Sequence, residues 1–139
     1  PDYLARQAAP ATPEELQQHC CLLYTYSAGG MWPFSKDGVD HSVKVREVFK
    51  SDSPDALTRA AIAGMGITML PTFMACEPIL NGELEIVLPE YESLTVYIYT
   101  AYSSRRFLPA KIRVFIDYLS DHISDPPYWD QKLQHHIDQ

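Results

Sequence analysis

Apolar and polar residues alternate along this chain in short blocks, and proline or glycine punctuates most of the boundaries between them. Residues 2–7 and 13–18 read as short helices; the second has Thr12 as its cap, Pro13 at its start and Glu15 in the capping-box position. Cys20 to Tyr26 reads as a strand that ends at the loosening pair Gly29-Gly30. Met31 to Phe34 is expected to pair with Val43 to Phe49 around Lys36-Asp37-Gly38, because an Asp-Gly step favours the tight turns that join antiparallel strands.

Ser51 to Pro71 is the most informative stretch, since it reads as a loop, a capped helix, a glycine turn and a buried strand in succession. Ser53 is a good N-cap, Pro54 suits the first helical position, where an N–H has no intrahelical partner, and Asp55 favours the positive end of the helix dipole. Gly64 or Gly66 ends the helix; Ile67 to Leu70 is too short for another and reads as a strand, which Pro71 closes. Leu57, Ala60, Ala61 and Gly64 form an apolar stripe of mostly small residues that lets the helix sit close on a sheet. Asp55, Arg59 and Ile62 fall on another face, where the Asp-to-Arg spacing suits a weak ion pair. Downstream the pattern predicts a helix through Phe73 to Leu80, a turn at Asn81-Gly82 and strands at 84–88 and 94–101. A last helix at 109–123 places Ile112, Phe115, Ile116, Leu119 and Ile123 on one stripe, and the polar tail 124–139 is expected to fray.

Alternating helices and strands with short connections predict an α/β layered fold, in which ligands lie outside the carboxyl ends of the strands. The 139 residues support one domain with a sizeable core. With 18 acidic residues against 11 basic ones, the formal charge of −7 repels a phosphate backbone, so this chain is not expected to bind DNA by itself. Three cysteines without metal-type spacing, two of them the neighbours Cys20 and Cys21, fit a reducing compartment. No stretch approaches the ~20 apolar residues of a membrane span, so a cytoplasmic protein with no membrane partner is expected.

The order of these signals, with the segments that flank them, resembles the effector-binding domain of LysR-type transcriptional regulators. Tyr3-Leu4-Ala5-Arg6, Thr12-Pro13-Glu14-Glu15-Leu16 and His19-Cys20-Cys21-Leu22-Leu23-Tyr24 precede the capped helix. Gly82-Glu83-Leu84-Glu85-Ile86-Val87-Leu88-Pro89 and Tyr102-Ser103-Ser104-Arg105-Arg106-Phe107-Leu108-Pro109 follow it, so the resemblance runs from Asp2 to about Ile123. It implies a lobe of the periplasmic-binding-protein type II kind, a mixed sheet flanked by helices, in a protein that holds a small molecule between two such lobes. Residues 2 to about 90 would be the second lobe; about 94–123 would be a crossover strand and a helix belonging to the first. The resemblance further implies the C-terminal part of a regulator that reaches DNA only through an N-terminal winged helix-turn-helix lying outside this chain.

Two strand ends form the implied effector site. Thr25-Tyr26-Ser27 offers three successive hydroxyls, enough to hold a carboxylate or a carbonyl, although a solvated turn explains such a run in any loop. Ser51-Asp52-Ser53 is the second edge, where the helix N-terminus adds N–H groups; Asp52 and Asp55 oppose a simple anion site, and capping alone accounts for Ser53. Gly66 and Ile67 face the same edge on the supposed strand order, although a glycine there more often just ends a helix. In the resembled family this helix and the strand before it pack against another subunit, which implies a homo-oligomer interface at Val45, Glu47, Asp55, Thr58, Arg59 and Ile62.

No catalytic residue, cofactor or metal is expected, and the chain does not read as an enzyme. Ser27, His41 and Asp40 make a triad only on paper, without a Gly-x-Ser-x-Gly elbow. His122, His135, His136 and Asp138 are a poor metal set, because adjacent histidines on a helix do not face one ion. Cys20 and Cys21 open an apolar strand, and burial outranks redox chemistry for them. Two alternatives share parts of the pattern: a lobe of a transporter's solute-binding protein, and a small hydrolase.

Overall fold

Residues 1–7 make successive turns, with Ala5 N–H donating to Pro1 O at 2.9 Å and Gln7 N–H to Tyr3 O at 3.1 Å, in place of the expected helix. In the computed structural model, which describes residues 1–93, 95, 97, 99, 101, 109–123 and 126–137, the next element is a 3-10 helix, Pro13–Gln18. Its Thr12 side chain makes no cap bond, and the Glu15 carboxylate reaches back instead to Ala11 N–H at 2.8 Å. The chain divides into two units, Pro1–Thr95 and Val96–Gln139.

In the first unit, β1 (Cys21–Tyr24) is followed by β2 (Met31–Lys36) and β3 (Val39–Lys44), an antiparallel hairpin closed at Asp37 and Gly38. Both turn residues have left-handed backbones, φ 52° and 75°, as this tight turn requires. The expected single strand from Val43 to Phe49 is in fact two. Val43 stays in the hairpin opposite Trp32, whereas β4 (Glu47–Ser51) leaves to pair with β1 in a different sheet. A one-residue irregularity follows the Cys21–Glu47 pair, so that Leu22 lies opposite Phe49 and Val48 is extra.

Helix α1 (Pro54–Ile62) forms as its punctuation demands, with Ser53 Oγ accepting from Ala56 N–H at 3.4 Å and Pro54 at the first position. The short strand β5 (Ile67–Thr68) runs parallel to β1 on the side opposite β4, giving the order β4-β1-β5. A central strand must be covered on both faces, which explains the unbroken apolar run in β1. Cys21 and Leu23 join a core with Trp32, Phe34 and Val43; Leu22 faces the other way, onto Leu57, Ala60 and Ala61 of α1.

Helix α2 (Thr72–Leu80) ends at the Asn81-Gly82 turn. No strand forms at 84–88. Leu88 is buried in the core and takes a left-handed backbone (φ 57°) that breaks an extended run. Strand β6 (Glu92–Ser93) adds to the hairpin beside β2. Of the strand expected at 94–101, residues 94, 96, 98 and 100 lie outside the described residues, and Thr95, Tyr97, Tyr99 and Ala101 belong to no strand.

The second unit holds α3 (Ala110–His122) and α4 (Tyr128–Ile137). Ile112, Ile116, Leu119 and Ile123 are half-buried along one face of α3, but Phe115, expected among them, is 57% exposed. At 100° per residue it falls at the margin of that row, on the side turned to solvent. The tail expected to fray contains α4, whose Leu133 is buried. No helix among the described residues is long and apolar enough to cross a membrane.

Candidate functional site

Parallel strands end together, so the carboxyl ends of β1 and β4 form one edge. Tyr24 pairs with Ser51, and Thr25 N–H donates to Ser51 O at 2.9 Å. This bond brings the Thr25-Tyr26-Ser27 and Ser51-Asp52-Ser53 segments side by side at the start of α1. Ser27 N–H closes a turn onto Tyr24 O at 2.9 Å, and the Tyr24 and Tyr26 rings meet edge to face with centroids 5.4 Å apart. Tyr26 is 77% exposed, so apart from that contact its ring is open to solvent at the rim.

The hydrogen-bond accounting at this edge has a definite polarity. Ser51 Oγ accepts from Ser53 N–H at 3.1 Å, and Ser53 Oγ accepts from Ala56 N–H, so both hydroxyls keep their own protons to donate. Leu57 N–H is satisfied by Ser53 O at 3.2 Å, and Pro54 has no N–H to offer. The helix terminus therefore supplies its dipole and the Asp55 N–H, and the serine hydroxyls are the other donors. A carboxylate or carbonyl oxygen fits such a row; Asp52 and Asp55, both exposed, reduce its attraction for a full negative charge.

Gly66 and Ile67 are not brought to this edge. Ile67 pairs with Cys21 at the start of β1, and its N–H donates to Cys20 O at 2.9 Å, so both residues lie at the amino end of the sheet. In a parallel pair the first residues of both strands share one end, and the end of β5 that points toward Tyr24 leads into Met69 and Leu70. Those two half-buried residues carried no polar signal that would have singled them out.

The chain matches the family described as the LysR substrate binding domain over residues 1–124. The chain belongs to this family. A probable HTH-type transcriptional regulator LtrA of Klebsiella pneumoniae is 31% identical over 123 residues, covering 86% of this chain and 40% of the relative. An HTH-type transcriptional activator AaeR of Escherichia coli is 31% identical over 121 residues, 86% of this chain and 39% of that protein. This LysR substrate binding domain thus spans about two fifths of those relatives. Among solved structures, full-length AphB of Vibrio cholerae superposes with a TM-score of 0.73 at 32% identity, covering 86% of this chain and 41% of that one. The CrgA regulatory domain of Neisseria meningitidis gives 0.69 at 26%, covering 89% and 61%. The fold is the periplasmic-binding-protein type II-like α/β fold of those regulatory domains.

On the expected subunit-contact face of this LysR substrate binding domain, Glu47, Asp55 and Arg59 are exposed and Ile62 is half-buried. Val45 is not available to a partner: it is 6% exposed and packs in the core with Trp32 and Val43. Thr58 is also buried, with its hydroxyl donating to Pro54 O at 2.9 Å. Asp55 and Arg59 close no ion pair; two solvated side chains gain little from one.

The other candidate groups sit elsewhere in this LysR substrate binding domain. His41 Nδ1 lies 3.2 Å from Glu14 Oε1 and its ring meets Tyr91 edge to face, so its partners are not Ser27 and Asp40. A backbone hydrogen bond, helped by His41, holds the Glu14 carboxyl below its usual range. Burial pushes the Cys21 thiol up to about 12. No group of three or more His, Cys, Asp or Glu that could hold a metal occurs among the described residues; Asp138 lies outside them.

Proposed function

We propose that this domain is the effector-sensing and oligomerisation part of a cytoplasmic LysR-type transcriptional regulator and not an enzyme. A small molecule bearing a carboxylate or carbonyl binds at Thr25, Tyr26, Ser27, Ser51, Asp52 and Ser53. The observation that carries the reading is the Thr25–Ser51 hydrogen bond, which joins two hydroxyl-bearing strand ends beside a helix start in a chain of this family. The names of the relatives as HTH-type regulators support a role in transcription, with DNA reached through a separate winged helix-turn-helix. The chain's charge of −7 agrees with that division of labour. Regulation follows by population shift: an effector that prefers one lobe arrangement changes the spacing of paired DNA-binding domains, with coupling of ~1–3 kcal/mol typical of such systems.

The test is a titration of the 15N-labelled chain with a panel of aliphatic and aromatic carboxylates and ketones. A binding member should shift the amides of Thr25, Ser27 and residues 51–56, and Ser51→Ala should weaken it by roughly tenfold or more. Binding that maps elsewhere, or that Ser51→Ala leaves intact, would remove this edge from the reading.

A further inference from the structure

Residues 1–7 are fastened at two points to the amino end of the parallel sheet, away from the Thr25–Ser51 edge. At one point the Arg6 guanidinium donates to Gly64 O, just beyond the end of α1. A Cβ on Gly64 would come within 3.1 Å of Asp2 Cβ and 3.4 Å of Tyr3 N, so the segment lies directly against that glycine. The other point is the hydroxyl of Tyr3, a core side chain 8% exposed that lies next to the still more deeply buried His19.

Three groups converge on Tyr3 Oη: Cys20 N–H at 2.9 Å, Gln7 Oε1 at 2.9 Å and His19 Nδ1 at 3.1 Å. A phenol has one proton to give and two lone pairs. Gln7 turns its amide nitrogen to Gln18 O at 3.1 Å; a carbonyl only accepts, so this contact fixes which end of the amide faces Tyr3. The end facing Tyr3 is then an acceptor, and it takes the phenolic proton. Cys20 N–H uses one lone pair. What remains for His19 is the second lone pair, which can be engaged only if Nδ1 carries a hydrogen.

We infer that His19 is held as its Nδ1–H tautomer by Tyr3, and that this pair is the latch of a clasp that residues 1–7 close over the start of β1. Free imidazole favours the other tautomer, so the latch leaves a signature that packing alone does not produce. The reverse tautomer would put two acceptors, Gln7 Oε1 and His19 Nδ1, in competition for one proton and leave a buried polar contact unmade. The latch ties together the end of the 3-10 helix, the beginning of β1 and the entering segment. It stands whether or not the far edge binds an effector.

Long-range 1H–15N NMR of the whole chain, at a pH where His19 is neutral, reads the tautomer directly. The expected result is a protonated Nδ1 and an unprotonated Nε2. Gln7→Ala frees the Tyr3 proton to be donated to Nδ1, so it should shift His19 toward the Nε2–H form without altering the core. Tyr3→Phe should do the same and speed hydrogen exchange at the Cys20 amide by about tenfold or more, as expected when a local opening loses its buried partner. An Nε2–H tautomer in the unaltered chain would overturn the inference. So would a Gln7→Ala variant whose His19 tautomer is unchanged.

Discussion

The carbonyl oxygen of Cys20 stands 2.2 Å from where a Cβ on Gly66 would sit, with the carbonyl carbon 2.9 Å away. Both obstructing atoms are backbone, and Ile67 N–H is bonded to that same oxygen, so neither strand can give way without losing the β1–β5 pairing. Gly66→Ala is expected to cost about 3 kcal/mol or more, at the upper end of overpacking effects. Urea unfolding of the variant measures it. A loss well under 1 kcal/mol would mean that the sheet adjusts freely at this end.

Leu57 is the side chain of α1 that matters most to stability. It is 1% exposed and packs with Leu22 across the sheet face, whereas Arg59 points to solvent. Leu57→Ala should cost ~2–5 kcal/mol and Arg59→Ala much less. Ser53→Ala, which removes the cap on Ala56 N–H, should fall between them at ~1 kcal/mol. Ile116 cannot serve as an equivalent core probe, because it is only half-buried. Matched denaturation curves with unchanged slope decide the ranking.

Features encoded by local rules were readable in the sequence. The Ser53-Pro54 start of α1 and the Asp37-Gly38 turn need only a few neighbouring residues to specify them, and both form as expected. What failed depended on distant partners. Nothing in Val43 to Phe49 marks the point where the chain passes from one sheet to another, since the break at Val45-Arg46 has no glycine or proline. Gly66 lies away from the Thr25–Ser51 edge because the end of the sheet it occupies is set by the pairing of β5 with β1, a tertiary property. Helix α4 has a local signal of its own: Pro126-Pro127 before Tyr128, with Asp130 in the first turn, is a sound helix start.

Thiol reactivity should separate the three cysteines. Cys21 is completely buried, and its Sγ lies 3.6 Å from Leu16 O and 3.7 Å from His19 O; Cys76 is also buried, while Cys20 is half-buried. Iodoacetamide at mildly alkaline pH should label Cys20 first and Cys21 only on unfolding. With the folded pKa raised to about 12 from 9.0, the Cys21 contribution is fully present below 9.0. It is lost as pH rises through that window, because the unfolded thiol ionises first. Native-state labelling of Cys21 as fast as Cys20 would contradict its burial.

Self-association through α1 and β4 is the last expectation. Among the described residues β4 is an edge strand, paired only on its β1 side, and its extra residue Val48 is 43% exposed. Against it lies α1, whose Asp55 and Arg59 are exposed and whose Ile62 is half-buried. An apolar residue flanked by opposite charges suits a self-complementary contact, since a twofold axis can set Asp55 of one copy near Arg59 of the other. Sedimentation over a range of concentrations should show a dimer, and Ile62→Glu should raise its dissociation constant by roughly tenfold or more, because a charge would be buried at the centre of the contact. Circular dichroism must show that the variant remains folded. Phe115→Glu, in the other unit, serves as the comparison: if it dissociates the dimer and Ile62→Glu does not, the contact runs through α3 instead.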